Sequence, residues 1–193
     1  MIEKIKKNKN FNLPNKLTAF RLICIPLIVF FMSFEGKLMS FLGALFIGAA
    51  FTTDMLDGYF ARKYGEITVL GKFLDPLADK ILVTISMIML IPLERIPVLI
   101  VIAIIARELA ITGLRAIAVS EGIVIQASRL GKFKTIFQAV AILALTLHYD
   151  YFCVDLHSVG LVFIWIALVL TLWSGWDYFR QFNTLFDPEK TRK

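Results

Sequence analysis

Four aspartates at regular spacings, Asp54, Asp57, Asp75 and Asp79, are the residues of this chain best suited to chemistry. They stand in the run DMLDGYFARKYGEITVLGKFLDPLAD, with Arg62, Lys63, Lys72 and Lys80 among or beside them and glycines at 58, 65 and 71. Asp54, Asp57, Gly58 and Ala61 fall at i, i+3, i+4 and i+7, so a helix carries them on one face. Gly71, Asp75 and Asp79 recur every fourth residue and share a face of a second helix. Lys63-Tyr64-Gly65-Glu66 separates the two, with Gly65 available as a left-handed helix stop. Antiparallel helices would bring the four carboxylates together. Clustered carboxylate oxygens suit a hard cation, Mg²⁺ or Mn²⁺, and the run has no His or Cys to favour zinc. A pair of such ions serves in-line phosphoryl displacement. Gly58, Ala61 and Gly71 are small enough to let a flat group lie against the backbone.

The elements that must position these acids are apolar. Of 193 residues, 58% are hydrophobic and 17 are Phe, and the mean hydropathy is +0.74, beyond what a soluble domain carries. Six apolar segments, about 15–34, 38–62, 71–92, 96–120, 132–149 and 157–180, each approach the roughly 20 residues that cross a bilayer. Turn signals separate them: Glu35-Gly36-Lys37, Tyr64-Gly65-Glu66, Pro92 to Arg95, Glu121-Gly122, and His148 to His157. The expected fold is an all-α integral membrane bundle of six transmembrane helices, one domain over 1–193. Residues 1–12 form a Lys-rich interfacial lead-in and 186–193 a polar tail. A charged start before an apolar run also suits a signal peptide, but Arg21, Pro26 and the lack of a small-x-small cleavage site favour an uncleaved helix. An aspartate at mid-bilayer costs about 2.5–3.5 kcal/mol, so four facing lipid would oppose insertion by roughly 10 kcal/mol. They must face a ligand or ions.

Charge sets the orientation. Lys4, Lys6, Lys7, Lys9, Lys16, Arg62, Lys63, Lys72, Arg129, Lys132, Lys134, Arg180, Lys190, Arg192 and Lys193 collect on one side, against Lys37 and Arg95 in the loops of the other. The positive-inside rule then places both termini and the aspartates in the cytoplasm. The net charge of +6 and pI near 9.4 accordingly signal topology and anionic lipid, not nucleic acid. Arg107, Ile111 and Arg115 make an i, i+4, i+8 stripe in the fourth segment, with Glu108 beside it, and Arg129, Lys132 and Lys134 open the fifth. Arginines inside spans avoid lipid, and guanidinium pairs phosphate bidentately, so this set reads as a basic pocket for a second phosphate. Interfacial anchoring remains an alternative for Arg129, Lys132 and Lys134.

The pattern Asp54-x2-Asp57-Gly58-x2-Ala61-Arg62-x8-Gly71-x3-Asp75-x3-Asp79 resembles the signature of the CDP-alcohol phosphotransferases, with every defining position filled. Pro14-Asn15-x-Leu17-Thr18-x2-Arg21, Ala106-Arg107-Glu108-Leu109 with Arg115, and Gly131-Lys132-x-Lys134-Thr135 are similar to the bacterial phosphatidylglycerophosphate synthases within that family, and the likeness runs from Leu13 to about Phe179. The resemblance implies CDP-diacylglycerol as donor, sn-glycerol 3-phosphate as acceptor and CMP as leaving group. It also implies two Mg²⁺ (or Mn²⁺) ions on Asp54, Asp57, Asp75 and Asp79, with Asp79 as general base. Asn15, Thr18, Asp57, Gly58, Ala61, Arg62 and Gly71 would hold the donor; Arg107, Arg115, Arg129, Lys132 and Lys134 would hold the acceptor phosphate. A homodimer in the plasma membrane, with its active site facing the cytoplasm, completes the expectation.

Two readings stand beside it. Phosphatidylinositol phosphate, cardiolipin and phosphatidylserine synthases share the donor chemistry. A cation transporter would also keep acids in its spans, but a permeation path needs polar groups further across, and here acids and bases crowd one end. Cys24 and Cys153 make no disulfide framework, and His148 and His157 flank the outer loop far from the aspartates. Trp165, Trp173, Trp176, Tyr149, Tyr151 and Tyr178 read mostly as interfacial anchors.

Overall fold

The computed structural model describes residues 13–64, 69–122, 129–149 and 154–185, with side chains over 17–55, 76–122, 131, 133–149 and 154–184. Among these residues the chain forms six helices and no strand: α1 Leu13–Met32, α2 Lys37–Tyr64, α3 Val69–Leu90, α4 Val98–Ser120, α5 Arg129–Leu147 and α6 Leu156–Leu185. Each lies over one of the six apolar segments. The expected turn residues behave as their chemistry requires. Gly36 and Gly122 take positive φ, at +135° and +72°, and the Gly122 N–H closes α4 onto the Val119 carbonyl at 3.0 Å. Asp155 caps α6, its Oδ1 accepting the backbone N–H of His157 at 3.0 Å and of Ser158 at 3.2 Å. The Ser158 hydroxyl donates to Asp155 Oδ2.

Among the described residues, α2, over Lys37–Met55, and α6, over Leu156–Thr184, are both long and apolar enough to cross a membrane by that measure alone. Two shorter apolar stretches, Leu17–Met32 and Phe133–Leu147, lie in α1 and α5. Arg107, Glu108 and Arg115 interrupt the apolar run of α4, and Lys72, Asp75, Asp79 and Lys80 stand in the sequence of α3. At 1.5 Å per residue, the 28 residues of α2 reach about 42 Å and the 30 of α6 about 45 Å, longer than a hydrocarbon core of roughly 30 Å.

Two compact units divide at Leu93. In the first, α1 packs on both α2 and α3, and α2 also meets α3. Its interior is built from Cys24, Ile28 and Met32 of α1, Ala44, Ile47 and Ala50 of α2, and Ala78, Leu82, Met87 and Leu90 of α3. Phe31 stacks on Phe46 between α1 and α2, with ring centroids 5.4 Å apart. Pro76 lies inside α3; having no N–H, it deprives the Lys72 carbonyl of its helical donor within the acidic stretch. In the second unit α6 packs along α5 and against α4. Gly160 allows the closest approach, since a Cβ there would lie 2.7 Å from Leu145 Cγ. Arg95 is buried and donates through Nη1 to the Thr146 carbonyl at 2.6 Å, satisfying the C-terminal end of α5, with its guanidinium 5.6 Å from the centre of the Tyr149 ring.

Candidate functional site

Helical register orders the acids first. Asp54 and Asp57 lie on α2, and Asp75 and Asp79 on α3. Asp54 stands ten residues before the end of α2 and Asp79 ten residues after the start of α3. Each is therefore about 15 Å along its helix from the short connection. Asp57 and Asp75 sit similarly nearer to it, so the carboxylate-bearing positions are matched in distance from the turn.

Among the described side chains, Asp54 is held by Arg21 of α1: Nη1 lies 2.9 Å from Oδ1, with the arginine wholly buried and the Asp54 side chain 40% exposed. Thr18, one turn earlier on α1, is likewise buried. Asp79 is half-buried. Both carboxylates therefore remain reachable from outside the helix packing, and their hard oxygens fit a hydrated divalent cation. No three His, Cys, Asp or Glu side chains among the described residues gather closely enough to hold a metal ion. The side chains of Asp57 and Asp75, the other two expected ligands, lie outside the described residues, as do those of Asn15, Gly58, Ala61, Arg62 and Gly71.

The basic residues of the second unit converge on an acid. Arg107 of α4 donates from Nη1 to Glu108 Oε1 at 3.2 Å and from Nη2 to Ser174 Oγ of α6 at 2.9 Å. Lys134 of α5 donates to the same Glu108 Oε1. The Glu108 carboxylate thus ties α4 to α5, and Arg107 carries the link on to α6 through Ser174. Gly175 makes the approach possible: a Cβ there would lie 2.9 Å from Arg107 Nε. Arg115, two turns along α4 from Arg107, adds its positive charge to these bases, and its guanidinium lies 5.8 Å from the centre of the Tyr178 ring. Tyr178 is itself buried with Ile111 and Ala118, and so departs from the interfacial role expected of the aromatic residues. Trp165, Trp173 and Trp176 are exposed. The side chains of Arg129 and Lys132 lie outside the described residues.

Several contributors escape a reading by residue type. Arg21 belongs to the recognisable N-terminal run, but nothing in its spacing says that it pairs with Asp54. Glu108 sits beside Arg107 in sequence, yet its hold on Lys134, 26 residues away, is purely tertiary. Ser174 and Gly175 carry no local signal. His148 and His157, distant from the acids in sequence, face each other with Nδ1 atoms 3.2 Å apart.

Residues 11–173 match the family model for CDP-alcohol phosphatidyltransferase. The chain is 42% identical over 183 residues to a CDP-diacylglycerol–glycerol-3-phosphate 3-phosphatidyltransferase of Bacillus subtilis (strain 168), covering 89% of this chain and 95% of the relative. It is 39% identical over 176 residues to the protein of that name in Rickettsia typhi (strain ATCC VR-144 / Wilmington), covering 91% and 99%. A Haemophilus influenzae relative of the same name is 35% identical over 177 residues, covering 87% and 91%.

Proposed function

The chain belongs to the CDP-alcohol phosphatidyltransferase family, and from that premise we propose that it transfers the phosphatidyl group of CDP-diacylglycerol to sn-glycerol 3-phosphate, releasing CMP. The observation that carries the choice of acceptor is the Arg107–Glu108–Lys134 cluster. Two bases withdrawn from solvent on separate helices suit an anionic substrate group beyond the donor's own phosphates. The names of the relatives support the same acceptor.

In this reading Asp54, Asp57, Asp75 and Asp79 hold two divalent ions, Mg²⁺ or Mn²⁺, which supply neutralisation of the donor's pyrophosphate. Arg21 fixes the Asp54 carboxylate. Asn15, Thr18, Asp57, Gly58, Ala61, Arg62 and Gly71 seat the cytidine diphosphate, while Arg107, Lys134, Arg115, Arg129 and Lys132 draw in the acceptor phosphate. Asp79 accepts the proton of the acceptor hydroxyl as its oxygen attacks the phosphatidyl phosphorus. The bond from that phosphorus to the CMP oxygen breaks, and CMP leaves with the electron pair. A carboxylate is a weak base for an alcohol, so alignment carries much of the rate.

All six helices cross the plasma membrane in this proposal, with both termini and the site on the cytoplasmic side and two copies forming a dimer. Loop charge supports the orientation. A family match that runs across both compact units supports a single catalytic membrane domain. The test supplies the purified protein with CDP-diacylglycerol, Mg²⁺ and one alcohol at a time: glycerol 3-phosphate, inositol phosphate, serine or phosphatidylglycerol. CMP release with glycerol 3-phosphate alone is expected. Release with a different alcohol, and not with glycerol 3-phosphate, refutes the reading.

A further inference from the structure

Glu108 stands between Arg107 and Lys134, the two bases assigned above to the acceptor phosphate. We propose that its carboxylate is a placeholder, seated between Arg107 and Lys134 in the free enzyme and displaced by a phosphate monoester dianion. The inference rests on the acceptor reading above and adds what excludes alcohols without a phosphate. A single oxygen, Oε1, takes both Arg107 Nη1 and Lys134 Nζ, whereas a phosphate offers a separate oxygen to each base. The Glu108 side chain is 28% exposed, against 12% for Arg107 and 7% for Lys134. The carboxylate therefore lies on the open side of the pair and can swing outward as the ligand enters. Donors are also left over. Arg107 Nε, Gln138 Nε2 one turn beyond Lys134, and Tyr178 Oη one turn beyond Ser174 are buried with no hydrogen-bond partner among the described residues. One carboxylate cannot satisfy so many buried donors.

The charge balance gives the selectivity. Arg107 and Lys134 with Glu108 leave one net positive charge and Arg115 nearby adds a second, enough to keep the carboxylate in place. A dianion outcompetes a monoanion for the two bases, while a neutral or zwitterionic alcohol has nothing with which to displace Glu108.

Binding of inorganic phosphate to the full-length protein in detergent, scored as competition against glycerol 3-phosphate, provides the test. Glu108→Gln keeps the size and removes the charge, so phosphate should bind about tenfold tighter or more, the equivalent of roughly 1.4 kcal/mol. The KM for glycerol 3-phosphate should fall without a rise in kcat. Unchanged or weaker phosphate binding in the folded variant overturns the proposal. Since Glu108→Gln leaves two buried bases without a counter-charge and can fail to fold, the wild-type protein supplies a second measurement. Carbodiimide labelling of Glu108, read by peptide mass spectrometry, should rise several-fold as sulfate, a dianion inert to the reagent, is titrated in. Constant labelling, or protection, overturns the proposal. Phosphate binding that Lys134→Met abolishes and Glu108→Gln leaves unchanged sinks the placeholder alone. No competition in the wild type, with an unchanged glycerol 3-phosphate KM in Lys134→Met, sinks the acceptor reading and the placeholder with it.

Discussion

Arg21→Met tests whether the buried arginine sets the affinity of the acidic site for its cation. Arg21 is wholly buried and its Nη1 lies 2.9 Å from Asp54 Oδ1. Breaking an ion pair with both partners buried costs about 3–5 kcal/mol, because one charge is stranded. Here the residue left behind is Asp54, whose side chain is 40% exposed, so water takes over much of its solvation. Methionine also keeps most of the packing of the arginine stem. The net loss of stability is then about 1 kcal/mol, and the variant should fold. The effect on the site is larger. A group that orients a metal ligand typically contributes 10–100-fold in metal affinity. The Mg²⁺ concentration for half-maximal CMP release should rise by about that factor, with turnover at saturating Mg²⁺ changed much less. Mn²⁺ binding to the substrate-free protein, followed by electron paramagnetic resonance, should weaken in parallel. Arg21→Lys should recover part of the loss, since an ammonium restores charge but not the planar fork. A folded Arg21→Met protein with wild-type metal dependence in both assays would refute the reasoning.

Other perturbations separate the remaining parts. Asp79→Asn should abolish CMP release while CDP-diacylglycerol still binds in a filtration assay; weakened binding with normal turnover per bound donor would remove Asp79 from its role as base. Gly175→Ala puts a methyl group 2.9 Å from Arg107 Nε and 3.1 Å from its Cγ. Displacing that guanidinium should raise the glycerol 3-phosphate KM about tenfold, within the roughly 1–3 kcal/mol that overpacking costs, and an unchanged KM would show that Arg107 does not meet the acceptor. Asp155 responds to pH: hydrogen bonds from the Ser158 hydroxyl, the Ser158 N–H and the His157 N–H hold its carboxyl below the ordinary aspartate range. Its folded value lies below its unfolded one, so its contribution is complete above an unfolded pKa of about 3.9 and fades as pH falls through the folded value. Asp155→Asn keeps an acceptor at the cap and should flatten that part of the acid-unfolding curve; superimposable curves between about pH 5 and pH 2 would contradict it.

The sequence made the helices and the acidic array readable because both are local. Apolar runs near 20 residues, glycines where positive φ is needed and i, i+3, i+4 spacing all express themselves within one or two turns. Gly36 and Gly122 show the turn rule holding at particular positions. The pairings are tertiary and left no such trace. Arg21 and Asp54 are 33 residues apart, and Glu108 and Lys134 26. Spacing could propose that Arg107 and Lys134 share an anion, yet it gave no reason to suspect that an acid already holds both. Arg115 keeps its i+8 alignment with Arg107 on α4, while its place over the Tyr178 ring is a tertiary contact that no spacing announces. The Asp155 cap has a local signal, an Asp three residues before Ser158 at the head of an apolar run.

The position of the acids along α2 also resolves the insertion cost. α2 runs from Lys37 to Tyr64, with Asp54 and Asp57 ten and seven residues before its end. The seventeen residues from Lys37 to Thr53 reach about 26 Å, so in the membrane-spanning reading proposed above Asp54 stands near the far boundary of a hydrocarbon core of roughly 30 Å and Asp57 beyond it. The penalty of roughly 2.5–3.5 kcal/mol per aspartate belongs to the bilayer centre and falls toward the boundary. Four acids at that level oppose insertion by much less than the 10 kcal/mol reckoned for mid-membrane lipid exposure. Arg21, wholly buried in the first unit, compensates Asp54, which with Asp79 stands furthest from the connection between α2 and α3. In the reading proposed above, a site at this depth meets both substrates where they are: the acyl chains of the donor stay in the bilayer, while the nucleotide and the acceptor phosphate remain in water.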